Sequence, residues 1–186
     1  SPHRHPGPPP GTPHPFRRCT VGGYHAHGGV ALVDDKLAGW GQAVLDKVNS
    51  VTDKPITRII NTHTHGDHTG NNGFFGANVE IVAQEHTKTN MAKMDAFKGD
   101  NARFLPSRTY QDRMTLGAGQ DRIDLYFFGA GHTRGATFVV FPALRVLHTG
   151  DAFAWKARPL RDGGPRARCH ALPPPPPTPP ASAQPP

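Results

Sequence analysis

The sequence predicts a layered domain of the α/β or α+β class, built from strands and helices around one core. Two observations point there. Apolar strand-like runs alternate with helical stripes as far as residue 94, and from residue 108 onward strand-like runs follow one another without a helix between them. A third observation concerns function: the residues most able to carry chemistry sit at the ends of the strand-like runs.

In chain order, order is expected to begin near Gly29. Residues 29–33 form a short apolar run closed by Asp34 and Asp35, which suits a buried strand. Leu37, Trp40, Val44, Leu45 and Val48 then recur at helical spacing, as one face of a helix does. Residues 56–61 are β-branched or apolar apart from Arg58 and Asn61, a second strand. Residues 79–83 read as a strand and 85–94 as a helix. An edge strand is expected over 108–114 and a half-buried strand over 123–128. Residues 137–141 and 144–147 form a hairpin pair around Pro142 and Ala143.

The ends differ from this middle. Of 21 prolines, only Pro55, Pro106 and Pro142 fall within residues 29–157. Proline fixes φ and removes a backbone donor, so proline-dense stretches resist packing into helix or sheet. Charge divides in the same way. Residues 29–157 hold 7 Lys and 7 Arg against 13 acids, a net of +1, so the chain's +7 comes mainly from its ends. Three segments are therefore expected: a disordered Pro/His/Arg-rich stretch over 1–28, a folded domain over 29–159, and a disordered proline-rich tail over 160–186. A nearly neutral folded part with no basic stripe argues against nucleic acid as a partner. No 18-residue apolar run predicts a membrane span, and no signal peptide is visible. Cys19 and Cys169 lack CxxC spacing and read as stray thiols.

The densest chemistry follows the second predicted strand, in Thr62-His63-Thr64-His65-Gly66-Asp67-His68-Thr69-Gly70. His63 and His65 are two apart, so in extended chain both imidazoles face one way. Asp67 continues that spacing and His68 falls on the other parity. One short loop thus offers two imidazoles to one metal ion and an Asp–His pair to a second beside it. Imidazole and carboxylate suit Zn²⁺ and leave open positions for water. His132, in Gly131-His132-Thr133 after another strand, completes a three-His set. Asp151, in His148-Thr149-Gly150-Asp151, can bridge two metals through its two oxygens.

Together these motifs resemble the metallo-β-lactamase superfamily, over about residues 29–159. The resemblance implies an αββα sandwich, incomplete here at both ends, with metals at one edge between the sheets. It implies two zinc ions: His63, His65 and His132 on the first, Asp67 and His68 on the second, and Asp151 bridging. It also implies hydrolysis of a small-molecule ester, lactone, thioester or β-lactam by metal-bound hydroxide. Asp67 would orient the nucleophile and relay a proton. A carboxylate after Thr-Gly looks more like the glyoxalase II, lactonase and phosphodiesterase branches than like most true β-lactamases. Thr62, Thr64 and Thr69 are expected to hold the imidazoles, and Trp155 and Lys156 to line a substrate pocket.

The family supplies one further His downstream as a ligand of the second metal. His170, inside the proline-rich tail, is not expected to serve, and His25 and His27 read as tail histidines. The abrupt change of composition at both borders suggests out-of-frame or foreign ends joined to a family core, which translation of the neighbouring reading frames tests. Two other functions compete with the hydrolase: an iron-dependent oxidoreductase on the same fold, and a non-catalytic metal-binding remnant whose proline-rich tail docks an aromatic groove.

Overall fold

The computed structural model describes residues 21–26 and 28–153. Two sheets stack face to face. The first has five strands in the order β1 (Gly22–Ala26), β2 (Gly29–Val33), β3 (Ile56–Asn61), β4 (Glu80–Gln84) and β5 (Arg108–Tyr110). β1 runs antiparallel to β2, and the remaining neighbours are parallel. Parallel neighbours need crossovers. These are supplied by α1 (Gly41–Asn49), by the short α2 (Gly66–Thr69) and α3 (Asn72–Phe75), and by α4 (Glu85–Met91) with two 3-10 turns after it. The second sheet is fully antiparallel, in the order β6 (Arg113–Leu116), β7 (Ile123–Tyr126), β8 (Phe138–Phe141) and β9 (Val146–His148).

Period-two alternation explains how the first sheet fills two cores at once. Leu32, Ile59 and Ile81 point to one face and pack with Val44 and Val48 of α1. Ala31, Val33, Ile60 and Val82 point to the other and meet Leu116, Ile123, Leu125, Val139 and Phe141 of the second sheet. At ~25 cal/mol per Å² of apolar surface removed from water, this double burial is the main force holding the layers. On the second sheet only one face is so buried. Phe138 and Val140 lie half-buried on the other, where rings of Tyr126, Phe128, Phe138 and Phe153 stack edge to face or in parallel.

Four sequence expectations need correction. Order starts before residue 29, because β1 lies inside the segment set aside as disordered. Gly22-Gly23-Tyr24-His25-Ala26 has no apolar alternation to signal a strand, and pairing with β2 makes it one. Leu37 and Trp40 precede α1 and are 39% and 41% exposed, so the helical stripe begins only at Val44. The expected helix over 85–94 ends at Met91 and gives way to 3-10 turns. The single edge strand over 108–114 is in fact two strands. The chain turns at Gln111 and Asp112, leaving β5 on the edge of one sheet and β6 on the edge of the other. Cys19, His27, Trp155, Lys156, Cys169, His170 and the proline-rich tail lie outside the described residues. Among the described residues, no helix is long and apolar enough to cross a membrane.

Candidate metal centre

The C-terminal end of β3 delivers the motif loop. Asn61, fully buried, donates from its amide to the His68 carbonyl and exchanges hydrogen bonds with Asn72, which closes the loop into a tight bend. His65 is the N-cap of α2 in extended conformation, and its carbonyl accepts from His68 N–H at 3.0 Å. The change from extended chain to helix brings the His68 ring within 4.0 Å of the His63 ring, on the side where Asp151 lies rather than His65. His63 and His68 are each 1% exposed, which is unusual for a polar ring without a dedicated role.

The nitrogens converge. His65 Nδ1 lies 3.1 Å from His63 Nε2 and 3.1 Å from His132 Nε2. An ion ~2.0–2.1 Å from three nitrogens at near-tetrahedral angles sets them roughly 3.3 Å apart, so this triangle fits zinc. Proton sharing alone satisfies it poorly, because three ring nitrogens facing one point bring lone pairs together. His63, His65 and His132 thus form one group able to hold a cation, and His63, His68 and Asp151 form a second. Asp151 lies between them, with Oδ1 3.4 Å from His68 Nε2 and Oδ2 3.8 Å from His132 Nε2. His68 Nε2 is buried without a hydrogen-bond partner, as expected of an atom aimed at a cation. Asp67 sits at the rim, its side chain 36% exposed and its Oδ2 3.7 Å from His68 Nε2; it belongs to neither group.

One residue that sequence reading passed over organises both groups. Asp34, buried at the end of β2, accepts at 2.7 Å from Thr62 N–H, from the Thr62 hydroxyl and from His68 Nδ1. A carboxylate only accepts, so the single Thr62 hydroxyl proton goes to Asp34. Towards His63 Nδ1, 3.0 Å away, the same hydroxyl must accept. The Nδ1 protons of both His63 and His68 are therefore spoken for, and Nε2 is the atom each ring turns to its group. Asp34 holds this place at φ +62°, a conformation costly for a residue with a Cβ. The adjacent Asp34-Asp35 pair, at the end of a strand next to β3, was the available signal. Of the three threonines expected to hold imidazoles, only Thr62 does. The Thr64 hydroxyl faces Met94 Sδ, and that of Thr69 donates to the His65 carbonyl.

The second sheet contributes through two loops seated against the first. Thr137 N–H donates to the Thr62 carbonyl at 2.8 Å, and the buried Thr87 hydroxyl donates to Gly135 O at 2.8 Å, anchoring the loop that carries His132. A Cβ on Gly135 would meet Thr87 Oγ1 at 2.3 Å, so glycine is required for that approach. Gly150, at φ +52°, packs so close to Thr62 that a Cβ would sit 2.5 Å from its hydroxyl, which places Asp151 over the site.

Electrostatics follow from this crowding. Burial, and then the positive charge of His68, His65 and His132, drive the His63 pKa far down, so its ring is neutral as a ligand must be. Burial also opposes charge on His68, but the carboxylates of Asp151 and Asp34 outweigh it and push the pKa up to about 10. The same contact with His68 holds the Asp151 carboxyl below its ordinary range. Asp35 is the opposite case: burial raises its pKa well above the usual value, and its Oδ2 has no hydrogen-bond partner.

Comparison with known proteins places this geometry among relatives. Residues 21–183 match the family model described as the metallo-beta-lactamase superfamily. A curated relative, the 2,4-dinitroanisole O-demethylase subunit alpha of Nocardioides sp. (strain JS1661), is 31% identical over 100 residues, which is 53% of this chain and 29% of that protein. The crystal structure of metallo-beta-lactamase IND-7 is 22% identical with a TM-score of 0.59, covering 69% of this chain and 57% of the other. A metallo-beta-lactamase from Pontibacter korlensis is 22% identical, with a TM-score of 0.53 and coverage of 68% and 63%. DIM-1 metallo-beta-lactamase exposed to ceftazidime is 18% identical, with a TM-score of 0.56 and coverage of 69% and 56%. This chain thus spans less than two thirds of the length of each, and the three structures speak to fold alone.

Proposed function

This chain belongs to the metallo-beta-lactamase superfamily, and from that premise we propose that it is a zinc-dependent hydrolase of small molecules bearing an ester, lactone, thioester or β-lactam bond. The observation that carries the reading is the triangle of imidazole nitrogens with the Asp151 carboxylate beside it. His63, His65 and His132 would hold one zinc, and His68 with Asp67 a second, bridged by Asp151. Bound zinc lowers the pKa of a coordinated water to about 7 and polarises the oxygen of the bond to be broken. The rest is the work of side chains. Asp34 and Thr62 keep the Nδ1 protons of His63 and His68 in place, so neither ring has to reorient during turnover. Asp67, at the open rim, is positioned to accept a proton from the attacking water and return it to the leaving group. Burial of His63 and His68 excludes bulk water from the floor of the site and strengthens every charge interaction there.

The test is a purified full chain assayed for zinc content and for cleavage of chromogenic esters, lactones and lactams. Near-stoichiometric zinc is expected, with turnover abolished by chelation and by His65→Ala. Unchanged turnover in that variant overturns the reading. A second reading is favoured by one observation, the 31% identity to part of an O-demethylase subunit. On that reading the bond broken is an aryl methyl ether. Methanol released from 2,4-dinitroanisole, with no ester or lactam turnover, distinguishes it. Iron as the dominant metal, with oxygen consumption, would instead indicate an oxidoreductase.

A further inference from the structure

The metal loop has a second side. Behind it lies a cleft of about 550 Å³, between the loop that follows β2, the helix α2 and residues 94–104. Its walls are largely apolar, formed by Leu37, Met94, Phe97 and Phe104, with Thr69 and Asn101 beside them, and among the described residues Arg103 is the one charged side chain lining it. The Arg103 guanidinium lies 4.8 Å over the Phe104 ring, so the cation stands beside an aromatic wall. Several hundred cubic ångströms with mostly apolar walls and a few polar groups is the usual build of a small-molecule site. The cleft also touches the metal loop directly. Gly66, between His65 and Asp67, lines it, and Met94 Sδ lies 3.6 Å from the Thr64 hydroxyl between His63 and His65.

The glycines of the cleft separate structural need from something else. A Cβ on Gly70 would meet the Ala38 backbone nitrogen at 2.4 Å, so packing requires glycine there, and one on Gly73 would meet the Phe104 ring at 3.1 Å, a tight fit. Gly66 has no such reason. A Cβ there would meet nothing within 4 Å, and its φ is not left-handed. Glycine is also a weaker helix residue than alanine, and Gly66 opens α2. What a side chain at 66 would do is project into open space beside the metal loop.

We propose that this cleft, which borders the metal loop at Gly66, takes an aromatic group carrying an anionic substituent, with the ring against the Met94 and Phe104 walls and the charge at Arg103. The proposal rests on the hydrolase reading for the use of the cleft, but binding is measured without turnover. The probes are 4-phenylbutyrate and its neutral amide, titrated into the full chain by calorimetry with and without chelator. The acid is expected to bind at least tenfold more tightly than the amide. Arg103→Met should reduce the acid to the affinity of the amide and leave the amide unchanged. Gly66→Val should weaken both at least tenfold while zinc content and circular dichroism stay those of the parent. Equal binding of acid and amide to the parent, or acid affinity within twofold of the parent in Arg103→Met, overturns the proposal. Arg103 is exposed, so that variant carries the test even where Gly66→Val does not fold. Charge-selective binding without ester or lactam turnover would sink the hydrolase reading and leave the pocket standing. Turnover without charge-selective binding would do the reverse.

Discussion

Strands β2, β3 and β4 bury both their faces where they approach the site, whereas β8 buries alternate residues only. The two sheets also serve the metal centre unequally. The first supplies His63, His65, Asp67 and His68 from a single loop and Asp34 from the strand beside it. The second supplies His132 and Asp151, one from each of two loops. The parallel sheet is a rigid support because helices and a second sheet leave its strands no free face. The antiparallel sheet can leave one face half-buried because its strands pair locally. The density of candidate ligands thus follows rigidity, as expected where nitrogens must converge to within a few tenths of an ångström.

Four experiments break or sharpen this contrast. The largest effect is expected from His63→Ala, because His63 belongs to the three-imidazole set and its ring also packs on His68 at 4.0 Å. Ordering partners beyond the ligands are worth ~10–100-fold in metal affinity, so loss of a direct ligand should exceed about 100-fold. Zinc per chain after dialysis should fall further than in His132→Ala or Asp151→Ala. Equal loss in all three would erase the distinction between the sheets. Next, Leu125→Ala on the buried face of β7 should cost about 2–5 kcal/mol, and Leu147→Ala, 51% exposed on β9, less than about 0.5 kcal/mol. Urea titration reads both, and a comparable cost at Leu147 would mean that the second sheet is covered on that side.

Asp34→Asn comes third. An amide accepts through its oxygen only, so with that oxygen towards the Thr62 hydroxyl and His68 its NH2 would face the Thr62 N–H, whose proton the second carboxylate oxygen now accepts. Zinc affinity should drop ~10–100-fold while thermal unfolding of the metal-free chain stays cooperative. Affinity within twofold of the parent removes Asp34 from the site. The smallest effect concerns the first sheet's own surface, where Glu80 on β4 meets Arg58 of β3 at 2.6 Å and Arg108 of β5 at 3.4 Å. Burial raises the Glu80 pKa, but the pairing with Arg58 and then Arg108 outweighs it and leaves the carboxyl below its ordinary range. A depressed folded-state value means stability that is present above pH ~4.5 and lost as pH falls further. Arg58→Met should therefore lower stability at pH 7 by about 0.2–1 kcal/mol, the range for exposed ion pairs, and by progressively less as pH falls below ~4.5. A loss independent of pH would assign Arg58 a packing role instead.

Much of the centre was legible in the chain. The spacing of His63, His65, Asp67 and His68 after a β-branched run announced a candidate metal loop, and parity sorts His63 with His65. The helical turn Gly66–Thr69 that sets Asp67 at the rim and His68 beside Asp151 was not legible. The strands at 29–33, 56–61 and 79–83 were legible because doubly buried strands are nearly continuous apolar text. β1 was not, since its only inward apolar residue in sequence view is Tyr24. The division of 108–114 into β5 and β6 was not either, because a turn without glycine or proline leaves no mark.

Composition and periodicity by themselves determined the class of the fold and the residue types able to bind metal. Those properties are local, set by side chains a few positions apart. The tertiary structure alone decided that Asp34 meets Thr62 and His68 from 28 and 34 positions away, that Asp151 stands between the two cation groups, and that Gly66 faces open space. Each depends on how separate strands lie side by side, and strand pairing over such distances is settled only when the whole core packs.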